Sequence, residues 1–401
     1  MKRQSYLSNR WADFFAKVAD VSGISCKIQF PSGKSENFGS DKPQFTLLIK
    51  STDFLAGRFD EFTFGKAYVD DKIDIEGDML SIYELRDHLK DKRSLRLLLK
   101  FWSALLFVSP TRVNRKAISS HYSFSDDFYL TFIDSRFRFY SHCIFHSDDE
   151  TLEEAAEHKL ESMYDALELE SGNRLLDIGC GWGGVTAYCG DRGISVTGLT
   201  IAQDSYNYTA NLIKSNGYTD CSVYHEDILD HHPEEPYDAV VIFGVIEHIP
   251  YYRRFFEKIW DVLKPGGLIY LDASATKVKF DVTDFTRQYT FSGTHTFLTV
   301  QDIIQELVFH GLDLVEVKQE THDYELTMWH WAQRLDANRE IIVQRWGTEV
   351  YRAFRIFLWG GCHAFRTDRL QAYHLVARRG NDPGPRPGLW RRTRIFIKSL
   401  A

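Results

Sequence analysis

Asp177 and the glycines behind it are the first residues in this chain whose types and spacing point to chemistry. Residues 175–184 read Leu-Leu-Asp-Ile-Gly-Cys-Gly-Trp-Gly-Gly. Two leucines and an aspartate read as the end of a buried strand. Gly179, Gly181 and Gly183 then turn the chain tightly and start a helix. Without Cβ atoms these glycines let the backbone approach a bulky ligand closely. With Gly184 as third glycine the loop also satisfies the dinucleotide spacing Gly-x-Gly-x-x-Gly, so spacing alone does not choose the cofactor. The form Asp-x-Gly-x-Gly-x-Gly, from Asp177 to Gly183, is the one used for S-adenosylmethionine (SAM), and we favour it.

Ligands in open α/β sheets sit beyond the carboxyl ends of the strands, at the point where strand order reverses. Asp177 to Gly183, Gly198-Leu199-Thr200, Glu226-Asp227-Ile228 and Phe243-Gly244 line that edge here. Asp227 is expected to take an adenine amino group, with Ile228 packed on the ring; the alternative is a plain helix N-cap. The second strand ends in Leu199-Thr200 rather than an acid. Ribose contacts must then come from neutral groups such as Thr200 or Gln203.

The elements that position these residues follow a regular alternation. Strands are expected at 174–178, 194–199, 221–224, 238–243 and 268–272, the last after the turn Lys264-Pro-Gly-Gly. Helices separate them, including one through Glu153, Glu154, Glu157 and Lys159 and one over 251–263. Strands alternating with helices imply a parallel sheet with crossovers. Upstream, Gln44 to Ile49 reads as a strand, Phe62 to Tyr68 and Lys72 to Gly77 as further strands or a hairpin, and 80–105 as helical. Pro110 to Ser119 reads as a linker. The expected organisation is a small α+β domain over 1–115, an α/β domain of the class I SAM-dependent methyltransferase (Rossmann-like) type over 116–380, and a basic, flexible tail over 381–401.

Composition narrows the classes. The chain has 401 residues, more than one typical domain, and a net charge of −8, which argues against a general nucleic-acid binder. Six scattered cysteines have no metal-ligand spacing, and we expect no metal. With no apolar leader at the start, a reduced, cytoplasmic setting is expected. Two segments mix cations with large apolar residues, Lys90 to Trp102 and Trp390 to Lys398. They read as membrane-surface elements, against the alternatives of a docked helix and a solvated tail.

Several motifs together give the chain a family likeness. His121-Tyr-Ser-Phe-Ser-Asp-Asp-Phe-Tyr, Tyr140-Ser141, Thr151-Leu-Glu-Glu-Ala, the Cys180-Gly-Trp-Gly loop, Glu247-His248, Leu263-Lys-Pro-Gly-Gly, Asp323-Tyr324 and Cys362-His-Ala-Phe-Arg span most of 115–380. The chain resembles the cyclopropane fatty acid synthases and their mycolic acid relatives. The N-terminal part is similar to the small lipid-associated domain of the full-length bacterial synthases. The resemblance implies methyl transfer from SAM to a cis double bond of a phospholipid acyl chain at the inner membrane surface, with a bicarbonate ion as base. The oligomeric state is left open by the sequence, with a homodimer as one reading. An alkene attacking the sulfonium methyl leaves a carbocation, so the pocket must exclude water, offer aromatic faces and hold one base.

Carried over position by position, Glu247, Tyr324 and the backbone near Phe243 match the family's bicarbonate site, while Tyr140, Ser141 and Gly244 are expected as cofactor walls. The family's histidine is replaced by Asp272. The family's cysteine aligns with His142, with Cys143 one place later. Two carboxylates, Glu247 and Asp272, are therefore expected to face a region that normally holds an anion. Either one shares a proton or bicarbonate binds poorly. On one reading Asp272 is itself a built-in base; on the conventional one bicarbonate is kept, held by Glu247, Tyr324 and His142. The alternative is that Asp272 only hydrogen-bonds a loop. Cys362 lines the acyl tunnel or is a structural thiol. Cyclopropanation is the default outcome, with a methylene- or methyl-branched product, a non-lipid alkene substrate or a non-catalytic lipid-binding protein as rivals.

Overall fold

A computed structural model describes residues 2–58, 60–86, 88, 126–249, 251–278, 282–290 and 295–381. The segments 90–102, 110–119 and 390–398 lie outside the described residues.

The catalytic sheet follows the expected alternation. β5 (Arg174–Ile178), β6 (Ser195–Thr200), β7 (Ser222–His225), β8 (Tyr237–Phe243) and β9 (Leu263–Ala275) are parallel. β10 (Leu312–Gln319) and β11 (Gln371–Arg379) close one side as antiparallel strands, giving the order β10-β11-β9-β8-β5-β6-β7. From β5 the chain moves outward one way to β6 and later the other way to β8, so the reversal lies between β5 and β8. The expected turn at Lys264-Pro-Gly-Gly is absorbed into β9. Tyr237 pairs with Leu263 and Ala239 with Leu268, so the four residues 264–267 bulge out of register.

The N-terminal region is a four-stranded sheet, β2-β1-β3-β4, formed by β1 (Cys26–Gln29), β2 (Ser35–Phe38), β3 (Phe45–Ile49) and β4 (Ile73–Gly77). A helix, Lys2–Ser22, precedes it and packs Trp11 and Phe15 into the core. Glu61–Val69 is also helical, where the aromatic alternation of Phe62 to Tyr68 reads as a strand. The Asp60 side chain accepts the Thr63 N–H at 2.8 Å and starts this helix. Local capping here outweighs the strand preference of the aromatic residues.

The two regions share one hydrophobic core. The long helix Thr348–Arg366 joins them. Its buried Arg352 donates from Nε to Tyr68 O at 2.6 Å and from Nη2 to Ile73 O at 2.5 Å, with the guanidinium over the Tyr68 ring. Tyr83 donates to Ile356 O at 2.6 Å.

Candidate active site

A cavity of about 170 Å³ lies at the carboxyl edge of β5 and β8. Asp177, Gly179, Gly181, Thr200, Asp227 and Gly244 stand in its wall, with Tyr140, Ser141 and Ile228. Gly181 has φ +50°, and a Cβ built there meets nothing nearer than Gly179 O at 4.0 Å. Any side chain at this point projects into open space beside the cavity. Asp177 is buried, and its Oδ2 has no hydrogen-bond partner among the described residues. Burial pushes its carboxyl up to about 7. Buried polar atoms are normally satisfied, and the ammonium of SAM supplies a donor of the kind this oxygen lacks. The residues present thus fit the cofactor.

Three expected cofactor residues lie outside this wall. Gly183 starts the helix Gly184–Gly190 in the left-handed conformation, and Gly198 backs onto Cys180, whose Sγ would sit 3.0 Å from an added Cβ. Gln203 is exposed and bonded to Asn207. Asp227 is the N-cap considered for it, and it stands where an adenine contact was expected. It lines the cavity, and its Oδ1 accepts the Leu229 N–H at 2.9 Å as an N-cap. Gly181→Val is expected to abolish SAM binding in a protein that still melts cooperatively. Calorimetric titration with SAM checks this, and ordinary affinity in the folded variant would remove the loop from the cofactor site.

A second cavity, of about 570 Å³, adjoins the first: Tyr140, Gly244 and His248 line both. Its walls are rich in aromatic rings and come from both regions, Trp11, Phe14, Phe15 and Phe64 from the first and Tyr324 and Trp331 from the second. Tyr324 stacks on Phe365 at 4.3 Å. Cys362 is buried outside both cavity walls, its thiol raised to about 12 by burial, and so serves as packing.

Glu247 is a buried carboxylate in this wall. Its Oε1 accepts the Ser274 N–H at 2.9 Å and the Ser274 hydroxyl at 2.8 Å. Its Oε2 is buried with no hydrogen-bond partner among the described residues. Burial raises the carboxyl to about 7, against the lowering effect of the Ser274 bonds. Beside it, burial lowers His248 to about 4, so this imidazole is neutral at neutral pH.

Asp272, His142 and Cys143 occupy other places than expected. Asp272 is fully buried and lines neither cavity. Its Oδ2 lies 2.6 Å from Lys159 Nζ, and its Oδ1 accepts the Gly244 N–H at 2.8 Å. Lys159 also donates to Ser141 Oγ and His142 O, both at 2.7 Å, and sits 4.0 Å over the Phe243 ring. The histidine-to-aspartate change is thus balanced by a buried lysine, and Asp272 holds the backbone at Gly244 rather than facing substrate. His142 turns inward, its Nε2 2.8 Å from Glu320 Oε2, while His374 Nδ1 lies 2.7 Å from Glu320 Oε1. Burial opposes ionisation of Glu320, yet the two imidazoles hold its carboxyl far below the usual range. His142 still touches the site through the Tyr324 ring, 5.0 Å away. Cys143 is buried, its thiol raised well above the ordinary value by burial, which suits packing and not nucleophilic chemistry.

The Gly244 N–H is bonded to Asp272 and the Lys159 ammonium is committed to Asp272, so neither is offered to a bound bicarbonate, while Glu247 and Tyr324, matched to the family's bicarbonate site, line the larger cavity. Lys159, Ser274 and Glu320 were not singled out from sequence as site residues. Each reads as an ordinary polar residue until the fold brings its partner alongside.

Comparisons with known proteins bear on the family and the fold. The mycolic acid cyclopropane synthetase family model matches residues 110–375, and a domain of unknown function matches 12–94. A sphingolipid C9-methyltransferase of Candida albicans is 27% identical over 339 residues, covering 79% of this chain and 66% of that protein. The chain therefore spans just under two thirds of that relative's length. A probable fatty acid methyltransferase of Mycobacterium tuberculosis is 29% identical over 299 residues, covering 71% of this chain and 68% of the relative. Among solved structures, mycolic acid cyclopropane synthase CmaA1 complexed with S-adenosylhomocysteine (SAH) and CTAB superposes with TM-score 0.62 at 23% identity, covering 66% of this chain and 98% of that one. Coclaurine N-methyltransferase, bound to N-methylheliamine and SAH, gives 0.62 at 21%, covering 72% and 90%. At those identities the structures establish the fold, while the family match extends over most of the chain. This chain belongs to the mycolic acid cyclopropane synthetase family of SAM-dependent methyltransferases.

Proposed function

We propose that the protein methylates a double-bond carbon of an unsaturated acyl chain, by default that of a phospholipid, lying in the larger cavity, and that Glu247 takes up the proton released. One observation carries this reading: an aromatic-rich cavity meets the cofactor cavity at Tyr140, Gly244 and His248, beside the buried Glu247 carboxylate, one oxygen of which is anchored by Ser274 while the other has no hydrogen-bond partner among the described residues. When bound, SAM supplies an electrophilic methyl group. The walls exclude water from the cation formed on the acyl chain, and aromatic faces tolerate its charge. Ser274 orients the Glu247 carboxylate, and Oε2 accepts the proton. If that proton leaves the newly attached methyl carbon, the chain closes to a cyclopropane. If it leaves the methylated chain carbon, the double bond returns carrying a methyl branch. The second outcome is favoured by the name of the Candida albicans relative, a sphingolipid C9-methyltransferase. Both products add one CH2 and need no further reactant.

Lipids of a host expressing the protein are expected to gain one CH2 per modified chain by mass spectrometry. An unchanged lipid profile, together with methylation of a non-lipid alkene, would overturn the reading. The mix of cations and large apolar residues in 90–102 and 390–398 supports access to substrate at the membrane surface; among the described residues no helix is long and apolar enough to cross a membrane. Deleting residues 386–401, with Arg391, Arg392 and Arg394, is expected to weaken binding to anionic vesicles, and salt to weaken it in the intact chain. Salt-independent binding measured by vesicle sedimentation would contradict the electrostatic part.

A further inference from the structure

His146, Glu150 and His158 form a cluster remote from both cavity walls. One donor atom from each lies within 4.8 Å of the others. The two imidazoles are stacked, with centroids 3.8 Å apart and planes 14° apart. His158 Nδ1 is screened from solvent and has no hydrogen-bond partner among the described residues, with Glu150 Oε2 3.4 Å away. That oxygen also accepts the His146 N–H at 2.8 Å, which curls the loop toward the helix Leu152–Ala166.

We propose that these three side chains bind a divalent d-block cation of the zinc class. Two imidazoles and a carboxylate are the ligand types such an ion takes, and a harder ion such as magnesium would require more oxygen donors. With metal–ligand distances of about 2.0–2.2 Å, tetrahedral ligands stand roughly 3.3 Å apart. The 3.4 Å between Glu150 Oε2 and His158 Nδ1 already matches that edge. The exposed His146 ring swings to complete a third corner, and solvent takes the fourth.

The place of the site in the fold gives it a structural task. His146 and Glu150 belong to the loop that also carries Ser141 and His142. His158 precedes Lys159, which holds both of those residues. A cation bridging loop and helix pins the segment behind the Tyr140–Ser141 wall without touching substrate.

The test uses the full chain, stripped with a chelator and titrated with zinc chloride by calorimetry, with magnesium chloride as control. One equivalent of zinc is expected to bind, magnesium not. His146→Ala and His158→Ala should each weaken zinc binding at least about tenfold, the loss that removal of even an outer-shell partner produces. Cys221→Ser, at the half-exposed thiol, should leave it unchanged. Zinc should raise the melting temperature of the wild type and not of His146→Ala, whose exposed ring makes its loss harmless to folding. Absence of zinc binding by the wild type would overturn the site, as would unchanged binding in both histidine variants. Neither result bears on the methyltransferase reading.

Discussion

Glu247→Gln is expected to lower turnover on the order of a hundredfold to ten-thousandfold while SAM affinity stays near that of the wild type. That range is what a positioned general base typically contributes. Glutamine keeps the shape and can still accept from Ser274, so the pocket is retained and only the proton acceptor is lost. Steady-state kinetics beside a SAM titration separate the two effects, and equal loss of both would make Glu247 a support of the cofactor cavity. The wild-type pH profile follows from the same carboxyl. Only ionised Glu247 takes a proton, so kcat at saturating cofactor should rise with pH and level off above about 7. Stability runs the other way. The folded value lies above the ordinary 4.5 of a glutamate, so the contribution from the neutral carboxyl is complete below about 4.5 and is lost as pH rises through about 7. The whole change is on the order of 3 kcal/mol, and Glu247→Gln should remove it from a denaturation series.

Lys159→Met carries the largest expected effect on stability, about 3–5 kcal/mol by chemical denaturation. Removing one partner of a buried ion pair leaves the other charge uncompensated. Lys159 and Asp272 are both fully buried, 2.6 Å apart. Asp272→Asn alone should also destabilise. Lys159→Met combined with Asp272→Asn should recover much of the loss, because no lone charge remains. Strict additivity of the two single effects would contradict the pair. The same variants bear on catalysis, since Asp272 fixes the Gly244 N–H and Lys159 fixes Ser141, both in the cofactor cavity wall.

The parallel part of the sheet was legible because each strand ends in a distinctive residue group at the cofactor edge, and Asp177, Gly181, Thr200 and Asp227 stand there as read. Glu247 and Tyr324 were legible by resemblance to family motifs, and both line the larger cavity. The Asp272 change was visible, but its partner was not. Lys159 sits in a helix rich in glutamates, where a lysine reads as a solvated charge, and only the packing of that helix on β9 buries it. A lone sequence could therefore show an unbalanced carboxylate and not its compensation. The aromatic wall from the first helix was hidden for a related reason. Trp11, Phe14 and Phe15 carry no motif, and they become cavity walls only when the N-terminal region docks on the helix Thr348–Arg366.

The most direct test of the account supplies the purified protein with SAM labelled in its methyl carbon and vesicles of mono-unsaturated phospholipid, or sphingolipid with an unsaturated base, in bicarbonate-depleted buffer. Nuclear magnetic resonance of the recovered lipid then locates the label. The account predicts a labelled carbon bonded to a former double-bond carbon, as ring methylene or as methyl branch, formed without added bicarbonate and nearly absent with Glu247→Gln. Label on a headgroup oxygen or nitrogen, or none in any lipid, would contradict methylation of an alkene. Activity that returns only when bicarbonate is restored would contradict Glu247 as the proton acceptor.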